Sequence, residues 1–178
     1  THIRDGAIYL NPGSADGELR HTLLALAYEA RTGREVWRHV VHDGAVYDNK
    51  YKSNTYASLT PVADGEHVYF FFGSEGLFAF TLEGDPVWQI DVGDFGVWGL
   101  GHGISPVLHG DFLILVCDND GGRGSRIFGV ERRTGEVAWV TDRQVRKSWA
   151  TPVLLPIGEE TQMVVPSYDR IAAYDPLT

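Results

Sequence analysis

Arg132-Arg133-Thr134-Gly135-Glu136-Val137-Ala138-Trp139 is the stretch that decides the fold, because the chain contains it three times. It stands earlier as Ala30-Arg31-Thr32-Gly33-Arg34-Glu35-Val36-Trp37, and between the two as Leu82-Glu83-Gly84-Asp85-Pro86-Val87-Trp88. Both the glycines (Gly33, Gly84, Gly135) and the tryptophans (Trp37, Trp88, Trp139) recur at intervals of 51 residues. A fixed period of this length is the mark of a stacked-repeat architecture. A fourth copy is begun by Ala172-Ala173-Tyr174-Asp175-Pro176-Leu177-Thr178, where the next residues would supply its glycine and tryptophan.

Around each copy lies a larger unit. It opens on a Thr/Ser-Pro-Val step (Thr60-Pro61-Val62, Ser105-Pro106-Val107, Thr151-Pro152-Val153) followed by a turn such as Ala63-Asp64-Gly65-Glu66. Two apolar runs come next, His67–Phe72 then Leu77–Phe80 in one unit, Phe112–Cys117 then Ile127–Val130 in another. The runs are short, rich in Val, Ile, Phe and Tyr, and bounded by Gly, Asp and Pro, which is how strands read. Leu23–Ala30 could pass for a helix by propensity, but its alignment with two strand runs overrides that. The Thr-Gly pair predicts a hairpin whose glycine takes a positive φ, and a run ending in Trp closes the unit. Each unit thus predicts four strands, here A to D, and the chain predicts an all-β architecture: a β-propeller fragment of four-stranded antiparallel blades. The approximate blades are 1–46 (incomplete), 55–92, 101–142 and 147–178 (incomplete), forming one partial domain over 1–178. One large aromatic per blade at the same height predicts that Trp37, Trp88 and Trp139 fill the contacts between blades.

The chain's 178 residues suffice for a core, with 43% hydrophobic and 12% aromatic residues. No apolar run approaches the roughly 18 residues that a membrane-spanning helix requires. The net charge of −9 argues against nucleic acid or an anionic membrane surface as partner. Cys117 is the single cysteine, so an intrachain disulfide and a multi-cysteine zinc site are excluded. Its apolar flanks suggest a buried strand residue, a reactive thiol being the lesser alternative.

The pattern Ala-x-(Asp)-x-x-Thr-Gly-x-x-x-Trp, carried by Ala27–Trp37, Ala79–Trp88, Gly129–Trp139 and the truncated Ala173–Thr178, resembles the tryptophan-docking repeat of the pyrroloquinoline-quinone (PQQ) type β-propellers of bacteria. The resemblance covers nearly the whole chain. It implies a parent ring of about seven or eight blades, with the remaining blades elsewhere in the parent chain, and a periplasmic or extracellular location. Three functions occur among such proteins: a non-catalytic binding or scaffold module, a PQQ-dependent dehydrogenase, and an outer-membrane assembly lipoprotein. The dehydrogenases need a metal-held quinone, a base aspartate, a basic contact and a tryptophan floor. No fixed motif ties residues of this chain to those roles, and Cys117 lacks the adjacent cysteine that many of them carry. The binding-module function, requiring no cofactor, is therefore favoured, with PQQ and Ca²⁺ as the alternative.

Loop lengths separate the two rims of such a fragment. A–B and C–D turns are short and repetitive, whereas B–C and D–A connections vary, and in an up-and-down blade these two emerge together. Elaborated loops on a rigid scaffold are where binding usually resides. Asn54, Trp98, His102, Arg146 and Trp149 lie there and combine stacking surfaces with hydrogen-bonding groups, as small-molecule sites do. They form the candidate site for a protein or small-molecule ligand. The bland alternative is solvated loops, with Trp98 and Trp149 packed on neighbouring blades. Asp118-Asn119-Asp120-Gly121 resembles half of a calcium loop, making Asp118 and Asp120 candidate metal ligands. It lacks the closing glutamate, and an ordinary Asp/Gly loop is the simpler account. The seven histidines show no metal-binding spacing, and no nucleophile elbow is present.

Overall fold

The computed structural model describes residues 6–11, 20–46, 55–93, 102–118, 124–145 and 148–178. Its fourteen described strands form four antiparallel sheets in chain order. Sheet 1 comprises β1 (Gly6–Asn11), β2 (Arg20–Tyr28) and β3 (Glu35–Ala45). Sheet 2 comprises β4 (Val62–Ala63), β5 (His67–Phe71), β6 (Leu77–Thr81) and β7 (Pro86–Ile90). Sheet 3 comprises β8 (Val107–His109), β9 (Phe112–Cys117), β10 (Ser125–Glu131) and β11 (Val137–Arg143). Sheet 4 comprises β12 (Val153–Ile157), β13 (Glu160–Pro166) and β14 (Ile171–Tyr174). Every sheet is a simple meander, so the up-and-down order expected of propeller blades is the one found. A single 3₁₀ turn, Gly73–Glu75, bridges β5 and β6.

Burial explains why the middle strands are unbroken apolar runs. Along β5, Val68 and Phe70 pack toward sheet 1, while Tyr69 and Phe71 pack toward sheet 3. Along β9, Leu113, Leu115 and Cys117 face sheet 2, while Ile114 and Val116 face sheet 4. Both faces of each interior sheet are covered, so strict alternation with polar residues, the sign of a half-exposed strand, is absent. Three separate cores result, one per sheet–sheet contact. Cys117 is fully buried in the second of them.

The outer strands differ from expectation in one respect. Trp37 and Trp139 stand near the start of β3 and β11 and Trp88 at the middle of β7, not at their ends. The strands run on to Ala45, Ile90 and Arg143. The cause is a shared register. Each tryptophan is opposite a small residue, in the pairs Ala27↔Trp37, Ala79↔Trp88 and Gly129↔Trp139, and each sheet has a bulge immediately after that small residue. A bulge bends the strand and strengthens its twist, and here it aims the ring out of its own sheet.

The repeated glycines behave as the hairpins require, with φ of 73° at Gly33, 102° at Gly84 and 78° at Gly135. The first and third turns are closed alike: Gly33 N–H donates to Glu29 and Gly135 N–H to Glu131, both at 2.8 Å. The middle turn is one residue shorter, and Gly84 N–H reaches Thr81 at 3.1 Å instead.

Candidate functional site

Two sets of contacts stitch the sheets, and they fix which rim is left for other work. The first set lies on the rim of short turns. Trp37 Nε1 donates to the Leu82 carbonyl and Trp88 Nε1 to the Arg132 carbonyl, both at 3.0 Å. Each indole covers the turn glycine of the next unit, so a Cβ at Gly84 would lie 2.6 Å from Trp37 Cγ and one at Gly135 would lie 2.8 Å from Trp88. Trp139 is seated differently. Its ring lies over Gly129 of its own sheet, where a Cβ would collide with it, and its buried Nε1 has no acceptor among the described residues.

The same rim carries a polar lock between sheets 2 and 3. Arg132 Nη1 meets Asp64 Oδ2 at 2.8 Å, and the Tyr69 hydroxyl donates to Asp64 at 2.8 Å. Burial alone would raise the Asp64 carboxyl. The N–H groups of His67 and Glu66, the Tyr69 hydroxyl and Arg132 outweigh it and hold the carboxyl down to about 2, below the ordinary 3.8. Burial first, then the Asp64 charge, pushes the Tyr69 hydroxyl up. A carboxyl depressed by folding stabilises the fold above its unfolded value and ceases to do so as pH falls through its folded value. Wild-type stability from Asp64 is thus expected to disappear between about pH 4 and pH 2, as 3.8 and about 2 bracket it. At pH 7 the Asp64→Asn variant should be less stable by about 2 kcal/mol. Urea titrations at both ends of that range would show a gap that closes in acid; a gap of constant size would refute the assignment.

The second set runs along the innermost segments. Thr60 N–H donates to Ser105 Oγ at 2.9 Å, and Ser105 N–H donates to Thr151 Oγ1 at 3.1 Å. Ser105 and Thr151, each opening a Pro-Val step, therefore satisfy a backbone donor of the unit before. This relay accounts for the hydroxyl residue in that step, which recurs at 45 and 46 residues.

The opposite rim carries the 3₁₀ turn between β5 and β6 and the described residues that lead into β8 and β12. His102 lies there with its ring 5.5 Å from Phe71. The indole of Trp149, a D–A residue of the next unit, packs on the adjoining Gly103, where a Cβ would be 2.9 Å from Trp149 Cδ1. Trp149 keeps 42% of its surface exposed. Ser148, which donates to the Pro166 carbonyl at 2.7 Å, anchors the segment. Two of the five candidate ligand residues, His102 and Trp149, are thereby brought to one place on adjacent units. Asn54, Trp98 and Arg146 lie outside the described residues, as does Asp120 of the candidate metal loop.

Asp118 is described, and it ends β9 facing Arg143 Nη1 at 3.0 Å, with both side chains fully buried. The Arg143 guanidinium also stands over the Tyr174 ring of sheet 4, 5.5 Å from its centre. Among the described residues, no group of three or more His, Cys, Asp and Glu side chains could hold a metal. Burial raises the Asp118 carboxyl to about 6 despite Arg143. Folding thus favours its protonated form, and the stability owed to this group declines as pH rises from about 4 toward 6, opposite in sign to Asp64. Removing the guanidinium strands a buried carboxylate, so Arg143→Met is expected to cost about 3 kcal/mol at pH 7. The loss should shrink near pH 5, where Asp118 is largely neutral; denaturation curves at the two pH values test this, and an equal loss at both would count against the pairing.

Four successive up-and-down antiparallel sheets with tryptophans set between neighbours define a β-propeller repeat protein of the PQQ-like class. The family model described as outer membrane protein assembly factor BamB matches residues 20–178, and the chain belongs to that family. Among solved structures it is similar to BamB from Moraxella catarrhalis, at 18% identity and a TM-score of 0.55 over 89% of this chain and 43% of that one. It is also similar to a quinohemoprotein alcohol dehydrogenase from Comamonas testosteroni (15% identity, TM-score 0.49, 79% and 22% covered). A europium-containing methanol dehydrogenase gives 10% identity and a TM-score of 0.47, with 80% and 23% covered. The chain thus spans less than half the length of these neighbours, and no curated protein matches it.

Proposed function

We propose that this chain is part of a non-catalytic binding scaffold of the bacterial cell envelope that engages a protein partner in outer-membrane assembly. The observation that carries this is the unequal use of the two rims. The short-turn rim is occupied by the Trp37 and Trp88 contacts and the Asp64–Arg132 lock. The other rim presents a half-exposed Trp149 packed on Gly103, the residue after His102. The family match supplies the kind of process, outer-membrane protein assembly. Among the described residues no helix is long and apolar enough to cross a membrane.

A photo-crosslinking residue placed at Trp149 in the full-length protein should capture a component of the outer-membrane assembly machinery, and one placed at Thr134 on the short-turn rim should not. Capture from Thr134 alone, or from neither site, would overturn the proposal. The same reading requires that PQQ with Ca²⁺ produce neither quinone absorbance nor dye reduction with the full-length protein; either signal would favour the dehydrogenase alternative.

A further inference from the structure

The Asp64–Arg132 lock is not repeated between sheets 3 and 4. Glycines of positive φ align the turns that join the first two strands of sheets 2, 3 and 4, at Gly65 (96°), Gly110 (56°) and Gly158 (65°). His109 therefore stands where Asp64 does, just before its glycine, and Glu159 stands where Asp111 does, just after. On the third strand and its turn, Pro176 follows Asp175 as Arg132 follows Glu131.

Between sheets 2 and 3 the Arg132 guanidinium fills the space bounded by two of those turns. Its Nη1 lies 2.8 Å from Asp64 and its Nη2 3.6 Å from Asp111. Between sheets 3 and 4 the corresponding Pro176 supplies no cation and is itself buried. A cavity of about 610 Å³ lies there, bordered by His109, Glu159, Glu160, Gln162, Tyr174 and Asp175. This is within the usual size of a small-ligand site.

The chemistry of the lining narrows the ligand. Among the described residues the lining holds no lysine or arginine, and neither Glu159 nor Glu160 is in an ion pair. Asp175 has one oxygen on the Leu177 N–H at 2.9 Å. Carboxylates of one sign around a concave space draw a cation. They do not gather, among the described residues, into a group that could hold a metal ion. A cation with its charge and its N–H donors spread over a plane suits them better than a point charge, and guanidinium is that cation. A neutral His109 ring nitrogen can accept from it, as Asp64 accepts from Arg132.

We propose that the cavity between sheets 3 and 4 binds the guanidinium group of a small ligand, seated as Arg132 is seated between sheets 2 and 3. The site is on the short-turn rim, apart from His102 and Trp149, and stands independently of the partner proposed for the other rim.

Titration of the full-length protein with N-acetyl-L-arginine amide, followed by NMR at the Glu159, Glu160 and Tyr174 amides, tests this. The shifts should saturate, and N-acetyl-L-lysine amide, with its compact ammonium, should bind about tenfold more weakly. Glu159 and Glu160 are exposed, so changing both to Gln should spare the fold while lowering affinity for the arginine probe about tenfold. Pro176→Arg supplies the guanidinium from the chain itself and should abolish binding of the probe. Shifts that do not saturate, equal affinity for the two probes, or undiminished binding in the Glu159→Gln/Glu160→Gln variant or in a folded Pro176→Arg variant would each overturn the proposal. Should Pro176→Arg fail to fold, the comparison of probes and the glutamine variant decide.

Discussion

Replacing Trp88 with alanine is expected to destabilise the fold by about 4 kcal/mol, near the upper range for removal of a large aromatic from a packed contact. Three losses combine at this position. The ring leaves the core shared by sheets 2 and 3, where it lies 5.7 Å from Tyr69. It uncovers Gly135, against which it is seated. It also abandons the Arg132 carbonyl that its Nε1 serves. Trp88→Phe separates these effects. It keeps most of the packing and forfeits the donor, for an expected cost of about 1 kcal/mol. Urea denaturation followed by circular dichroism measures both. Similar losses for the two variants would mean that the hydrogen bond, not the packing, dominates.

The second large effect is expected at Gly84, where alanine should cost about 3 kcal/mol from two sources that act together. With φ at 102°, any residue bearing a Cβ is strained there. The added methyl would also stand 2.6 Å from Trp37 Cγ, inside van der Waals contact, so the docked ring must move. Gly65 provides the control, since its φ of 96° imposes the backbone strain while a Cβ there meets nothing within 4 Å. Gly65→Ala should therefore cost about 1 kcal/mol. Equal losses at the two glycines would reduce Gly84 to a turn residue and remove its role as the floor beneath Trp37.

That pair of variants also marks how far the sequence could be read. The positive φ of Gly33, Gly84 and Gly135 was legible from the Thr-Gly hairpin pattern, and the between-blade position of Trp37 and Trp88 from their period. What joins them, the glycine of one unit lying under the tryptophan of the unit before, was not legible. A one-dimensional repeat shows that two residues recur, not that copy n of one meets copy n+1 of the other. The bulges after Ala27, Ala79 and Gly129 were hidden for a related reason, since nothing in an apolar run announces where its register slips. At the candidate site, loop lengths and residue types pointed to one rim, and of the five residues proposed there His102 and Trp149 are described, Trp149 packing on Gly103. Asp118 shows the opposite case. Its acidic, glycine-rich neighbours offered an ordinary Asp/Gly loop or half of a cation loop, and nothing in the repeat announced its ion pair with Arg143, 25 positions away.

The stitches between sheets have a consequence for synthesis. Trp37 waits for the carbonyl of Leu82, Trp88 for that of Arg132, Thr60 for Ser105 and Ser105 for Thr151, at separations of 45, 44, 45 and 46 residues. Each unit therefore leaves the ribosome with its donors formed and their acceptors not yet made. At the usual elongation rate of about 5–20 residues per second, that interval lasts roughly 2–9 s. It is long compared with the microseconds in which a hairpin closes. For those seconds a finished sheet presents an apolar face and undocked N–H groups to its surroundings. The growing chain thus carries one exposed interface that moves forward unit by unit, and a holding factor that recognises such a face would need to act on a timescale of seconds.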